Sequence, residues 1–282
     1  MTDESKGAVD LSGEGIHWDP EGGLTYGSYL ALESLLSSQK TRSSHHDEML
    51  FIVVHQVTEL WMKLSLHELS AVLVQIRSDE LGPAFKMLSR VSRIQGQLIL
   101  SWDVLSTMTP FDYSSFRDEL QQSSGFQSYQ YRTLEFILGN KNPKLIEVHR
   151  GDPQTYARLK ETLESPSVYD ETLKLLARRG FQIPADRLER NWGEPYVPHA
   201  EVEAAWLEVY RDVKKHWDLY ELAEKFVDLE SKFQQWRFAH MKTVERIIGH
   251  KRGTGGSSGV TYLQKALNLT FFPELWSVRT VI

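Results

Sequence analysis

The stretch WDLYELAEKFVDLESKFQQWRFAHMKTVERIIG, residues 217–249, decides the fold. At helical spacing Leu222, Phe226, Leu229, Phe233, Trp236, His240, Val244 and Ile247 share one stripe. All are apolar or aromatic except His240, an imidazole where a core side chain belongs. The helix stops at Gly249 and runs into HKRGTGGSSG, residues 250–259, a basic, glycine-rich loop. A helix this long with one apolar stripe has to bury that stripe against other elements.

The rest of the chain supplies helices. From His46 to about Ile76 runs another long one, with Asp47 and Glu48 in its first turn, where acidic side chains complement the helix dipole. Phe51, His55, Thr58 and Met62 share one side of it, so a second histidine lies in a largely apolar stripe. Pro83, just after Gly82, suits a helix start, and Leu88, Val91, Ile94, Leu98, Trp102 and Leu105 continue that helix. Thr109-Pro110-Phe111-Asp112 reads as a cap into a short helix ending at Leu120. Gln121–Gly125 interrupts, and Phe126–Leu138 resumes. Thr25 caps one short helix carrying Tyr26, Tyr29, Leu30 and Leu36. Residues 1–24 are expected to be a flexible N-terminal segment, with Trp18 as its pin.

Residues 25–282 are expected to form a single all-helical domain. Within it, 143–200 reads as a helical insertion or lid, divided by Pro153, Pro166, Pro184, Pro195 and Pro198. Val260–Leu269 gives a last short helix, and Phe271–Trp276 packs back onto the body. No repeat, heptad or set of alternating strands is present. The expected fold class is all-α: a bundle of long helices with short helical insertions and a pocket between helices.

Composition narrows the function. The chain has 282 residues, 41% of them hydrophobic, enough for a substantial core. It has no cysteine, which excludes disulfides, thiolate-held zinc or haem, iron–sulfur clusters and covalently attached haem. A net charge of -6 gives no support to nucleic-acid binding. The start lacks a signal-peptide pattern, and no apolar run suggests a bilayer span. A cytoplasmic protein without membrane or nucleic-acid partner is expected.

His240 and His55 are each either a satisfied core histidine or part of a haem site, one ligating iron and the other lining the opposite face. A non-haem metal site is the rival, since His45-His46-Asp47-Glu48 is dense in ligand types. Paired Glu-x-x-His and His-Glu-x-x-His patterns are both missing, and the cluster reads as a linker into an acidic first turn. Arg117, one turn after Tyr113, is either a surface arginine or a guanidinium fork set beside a phenol for a carboxylate. The break at Ser123-Ser124-Gly125 would bring further donors near it. The 250–259 loop follows a helix and lacks Gly-Lys-Ser/Thr, so it is no phosphate loop; it suits anion capture, a closing lid or a plain linker.

FIVVHQVTELW at 51–61, FDYSSFR at 111–117, SSGFQSYQYR at 123–132, WRFAH at 236–240 and GHKRGTGGSSGV at 249–260 strongly resemble the tryptophan 2,3-dioxygenases. The likeness runs from about Gly22 to the end, loosest in the middle. It implies one non-covalent haem b per subunit, with O₂ as co-substrate and L-tryptophan as substrate. The product implied is N-formyl-L-kynurenine, which opens the kynurenine route of tryptophan degradation. It also implies a homotetramer built as a dimer of dimers. By the same resemblance His240 is the proximal iron ligand and His55 the distal residue that hydrogen-bonds the indole N–H. Arg117 clamps the substrate carboxylate, helped by Tyr113 and Thr254, and Thr254 also holds the ammonium. Phe51 packs the indole, Ser124 and Gly125 lie on the distal face of the haem, and Trp102 lines the haem pocket. Tyr26, Tyr29 and Leu30 complete the pocket of a neighbouring subunit. A haem monooxygenase or peroxidase and a haem-binding sensor are the rival classes.

Overall fold

The computed structural model describes residues 9–16 and 22–282, and the chain divides into two compact units, residues 1–40 and 41–282. The first unit carries α1 (Tyr26–Tyr29) and α2 (Leu32–Leu36). Thr25 caps α1 through a capping box with Ser28. The expected single helix is broken, because Ala31 sits in the left-handed region at φ +48°. The lead-in residues 1–8 and 17–21, Trp18 among them, lie outside the described residues.

The second unit contains α3 (Asp47–Arg77), α4 (Leu81–Leu105), α5 (Pro110–Phe116), α6 (Tyr129–Leu138), α7 (Pro153–Leu163), α8 (Val168–Arg178), α9 (Ala185–Leu188), α10 (Ala200–Arg211), α11 (Trp217–Ile248), α12 (Val260–Ala266) and α13 (Pro273–Ser277). There is no strand among the described residues. The fold is all-α, long helices joined by short ones, as the sequence leads one to expect. α4 lies along both α3 and α11, and α6 and α8 pack on α3.

The stripe of α11 is shared between two apolar clusters. Leu222, Phe226, Leu229 and Phe233 join Leu69, Val72, Leu88, Leu173 and Trp206 in the main core. Trp236 and Ile247 join Val54, Met62, Leu98, Trp102, Leu105, Met108 and Phe116 in a second cluster. Truncating a fully enclosed ring such as Phe226 to alanine would cost about 3–5 kcal/mol. α8, within the proline-rich middle, puts Val168, Tyr169, Leu173 and Leu176 into the main core.

α4 starts at Leu81 instead of Pro83 and α12 ends at Ala266 instead of Leu269, and near the site two more boundaries differ from the sequence reading, each for a local reason. α5 is capped by Thr109 as expected but ends at Phe116; Arg117–Leu120 tightens into a 3-10 turn, and Gln121 follows at φ +49°. α6 begins at Tyr129 because the Ser128 side chain accepts the Tyr131 N–H; Gly125–Gln127 before it is a separate 3-10 turn capped by Ser124. Contrary to the expectation that no segment is long and apolar enough to cross a bilayer, α3 meets that criterion by length and composition. In this fold α3 packs on α4, α6 and α8, and it leaves Met49, Val53, Val57 and Leu60 exposed along its outer side.

Candidate functional site

α4 and α11 bring Trp102 and His240 together, their rings stacked at 4.4 Å and 7°. Trp236, one turn before His240, lies 5.5 Å from it and 5.8 Å from Trp102. Burial among these rings pushes the His240 imidazole down to about 4, with the nearby His55 adding to the effect. The ring is therefore neutral at neutral pH and carries a nitrogen lone pair. Its orientation is set by the face of Trp102. The indole N–H groups of Trp102 and Trp236 are both buried with no hydrogen-bond partner among the described residues. An idle buried donor costs about 1–3 kcal/mol, so two beside one histidine mark this place off from ordinary core.

Across the same cluster, α3 supplies Phe51 and His55. His55 Nδ1 stands 2.7 Å from the Phe51 carbonyl oxygen, one helical turn back. A carbonyl only accepts, so Nδ1 carries the proton and Nε2 is left as an acceptor. Burial lowers the His55 pKa, while the Phe51 carbonyl and Glu59 work the other way. The Phe51 ring lies 4.1 Å from His55, 5.7 Å from Phe116 and 5.9 Å from Tyr113. The Arg117 guanidinium lies close enough to the Tyr113 phenol to act on its charge. Burial raises the Tyr113 phenol pKa while the guanidinium opposes the rise. The helical turn between 113 and 117 thus delivers a cation and a hydroxyl as one unit.

Two loops cross at this end. Arg117 Nη2 donates to the Arg252 carbonyl at 2.7 Å, and Thr254 Oγ1 donates to the Ser123 carbonyl at 2.6 Å. Gly255 approaches so closely that a Cβ there would lie 2.7 Å from Ser124 Cβ and Oγ. Gly259 closes the loop at φ +60°, where a Cβ would also meet the Lys251 carbonyl at 2.6 Å. Ser124 Oγ itself accepts the Phe126 N–H at 3.3 Å.

Unit 41–282 therefore brings Phe51, His55, Trp102, Tyr113, Arg117 and His240 to one end of the α3–α4–α11 frame, with Ser124, Gly125 and Thr254 on the crossing loops. Tyr26, Tyr29 and Leu30 lie in the first unit and are 77%, 72% and 40% exposed. The His45–Glu48 group does not form a metal site: Glu48 accepts from the Arg42 and Ser43 N–H groups and the Ser43 hydroxyl. Among the described residues no three His, Asp or Glu side chains converge. Trp236 and Phe116 belong to the site although the sequence reading gave them no role. The i, i+4 spacing of Trp236 and His240 was the available signal. What assembles is a neutral, laterally stacked imidazole, a second imidazole with a free acceptor nitrogen, and a guanidinium–phenol pair under a glycine loop.

A family model described as tryptophan 2,3-dioxygenase matches residues 12–282. The tryptophan 2,3-dioxygenase of Bacillus thuringiensis is 61% identical over 267 residues, covering 95% of this chain and 96% of that protein. Tryptophan 2,3-dioxygenase 1 of Ralstonia nicotianae is 61% identical over 257 residues, 91% of this chain and 87% of its own. The tryptophan 2,3-dioxygenase of Cupriavidus necator is 56% identical over 279 residues, 98% and 95% respectively.

Proposed function

This chain belongs to the tryptophan 2,3-dioxygenase family, and from that premise we propose that it inserts both atoms of O₂ across the indole C2–C3 bond of L-tryptophan. The product is N-formyl-L-kynurenine, and the step opens the kynurenine route of tryptophan degradation. One non-covalent haem b per subunit is the cofactor. The observation that carries the reading is the pair of neutral, half-buried imidazoles on α3 and α11 beside Tyr113 and Arg117.

The residues fit a haem. His240 offers a neutral nitrogen in an apolar, aromatic-walled setting, and the idle Trp102 and Trp236 N–H groups sit beside it. His240 would hold the iron, and Trp102, Ser124 and Gly125 would line the cofactor. Haem, when bound, supplies the redox chemistry that activates dioxygen.

The chain's own part is binding and orientation. Arg117 presents a fork to the amino-acid carboxylate, which fixes the substrate's direction as well as its charge. The Tyr113 hydroxyl, beside the guanidinium, seconds it. Thr254 Oγ1 keeps its lone pairs while donating to Ser123, and these take the ammonium. His55 Nε2 accepts the indole N–H; this contact orients the ring and does not require the proton to leave. Phe51 packs on the indole plane. The 250–259 loop, closed over these groups, keeps water from the reacting carbons.

The assembly is a homotetramer, a dimer of dimers, in which Tyr26, Tyr29 and Leu30 of a neighbouring subunit finish the pocket. Their exposure supports this, as does the uncovered Met49–Val53–Val57–Leu60 side of α3. The enzyme works in the cytoplasm. L-Tryptophan added in air to the haem-loaded, ferrous protein should give the absorbance of N-formylkynurenine, and tryptamine, lacking the carboxylate, far less. A spectral shift with no product would contradict the reading and favour a haem sensor.

A further inference from the structure

We propose that Glu59 and Gln130 are positioning residues for His55: Gln130 fixes the Glu59 carboxylate beside the imidazole, and that charge strengthens His55 Nε2 as the acceptor of the indole N–H. The inference rests on the function proposed above and deepens the part given there to His55. Phe51, His55 and Glu59 stand at every fourth residue of α3, so they lie one above another on one side of the helix. The Phe51 carbonyl holds the Nδ1 side of the ring at 2.7 Å. From the following turn, the Glu59 carboxylate is near enough to act on the ring's charge.

Gln130 lies in the first turn of α6, 71 residues from Glu59, and grips it twice. Its Nε2, with two hydrogens to give, is 2.8 Å from Glu59 Oε2 and 2.9 Å from the Glu59 main-chain oxygen. A glutamate free on a helix surface spreads over many rotamers; these two bonds fold the carboxylate back along α3. The donor is a neutral amide, so the carboxylate is fixed without its charge being cancelled. Glu135, also on α6, shows the contrast, since Arg132 and Arg237 both pair with it. α6 has no acidic residue in its own first turn, and the Glu59 carboxylate supplies the negative charge that such a helix end favours. An imidazole whose N–H faces a carbonyl, with a fixed anion nearby, has a more basic second nitrogen. Burial lowers the basicity of His55, and the Phe51 carbonyl and Glu59 restore part of it. Tyr113, Arg117 and His240, which face the same pocket from α5, the turn after it and α11, carry positive charge or none.

The experiment measures the dissociation constants of two ligands, by their Soret shifts, on the full-length, haem-loaded, ferrous protein without O₂. One is L-tryptophan; the other is L-benzothienylalanine, of the same shape with sulfur in place of the N–H. Glu59→Gln keeps an oxygen for Gln130 and removes the charge. It should weaken L-tryptophan roughly four-fold and leave the sulfur analogue unchanged. Gln130→Met, which frees the carboxylate, should weaken L-tryptophan roughly two-fold with the same selectivity. In a His55→Ala background, where no acceptor is left to strengthen, Glu59→Gln should alter neither ligand. Equal weakening of both ligands would give the pair a purely structural role and overturn the proposal. So would an unchanged tryptophan affinity in a folded Glu59→Gln. A wild type that binds neither ligand would overturn the proposed function and this inference with it, a result distinct from the other two.

Discussion

The C-terminal end of the second unit and the pocket end treat buried polar groups in opposite ways. At the C-terminal end, Glu230 accepts from the Phe271 N–H at 2.7 Å, the Phe272 N–H at 3.1 Å and Trp276 Nε1 at 2.9 Å. Glu274 accepts from the Tyr169 hydroxyl at 2.9 Å, the Tyr196 hydroxyl at 2.6 Å and the His199 N–H at 2.8 Å. Each carboxylate is enclosed by three donors from distant parts of the chain and staples α13 to the body. At the pocket end, two indole N–H groups have no partner among the described residues, and the two neutral histidines keep a nitrogen each for something else. Saturated polar groups hold the fold; polar groups left idle in an apolar wall are the ones a ligand can use.

Substitutions at the two ends should therefore fail in different ways. His240→Ala should have the largest effect: stable haem and its Soret band are lost while the helical circular dichroism remains. Glu274→Ala should do the reverse, lowering stability by about 3 kcal/mol in denaturant titration because two hydroxyls and an N–H lose their acceptor, with haem still bound below the transition. Arg117→Ala should reduce kcat/KM for tryptophan about a hundred-fold, roughly 3 kcal/mol, with haem content unchanged. His55→Ala removes one hydrogen bond to substrate and should cost about ten-fold in turnover with haem retained. Complete loss with intact substrate binding would instead assign His55 an essential proton transfer.

A buried cation away from both ends can be read by pH. Lys141 Nζ donates to the Thr162 and Ser165 carbonyls at 2.8 and 2.7 Å, closing the end of α7. Burial pushes its ammonium from 10.5 down to about 7, with Asp170 opposing and Arg190 adding to the fall. Between those values the unfolded chain binds more protons than the folded one, so stability rises with pH; below about 7 both states are charged and the term is flat. Wild type should accordingly gain on Lys141→Met by about 1 kcal/mol per pH unit from pH 7 upward. Parallel pH curves would show that this lysine is not enclosed as described.

How much of this the sequence disclosed depends on whether the cause is local. The eight-residue stripe of 217–249 foretold which face of α11 is buried, and its one polar member is a pocket residue. Caps at Thr25 and Thr109 were legible because side chain and backbone lie within one turn. The left-handed Ala31 and the tightened turn at Arg117 were not, since neither alanine nor arginine signals those conformations. The depth of α8 was hidden by the prolines around it. The crossing of Arg117 with Arg252 joins residues 135 apart through a main-chain carbonyl, a group every residue carries, so no pattern of side chains announces it.

The most direct test of the proposed chemistry is isotopic. Ferrous, haem-loaded protein is given L-tryptophan under ¹⁸O₂ in unlabelled water, and the product is weighed by mass spectrometry. N-formylkynurenine carrying both labelled oxygens is the expected result. A product with a single labelled oxygen, or none, would contradict a dioxygenase and point to a monooxygenase or peroxidase reaction at the same pocket.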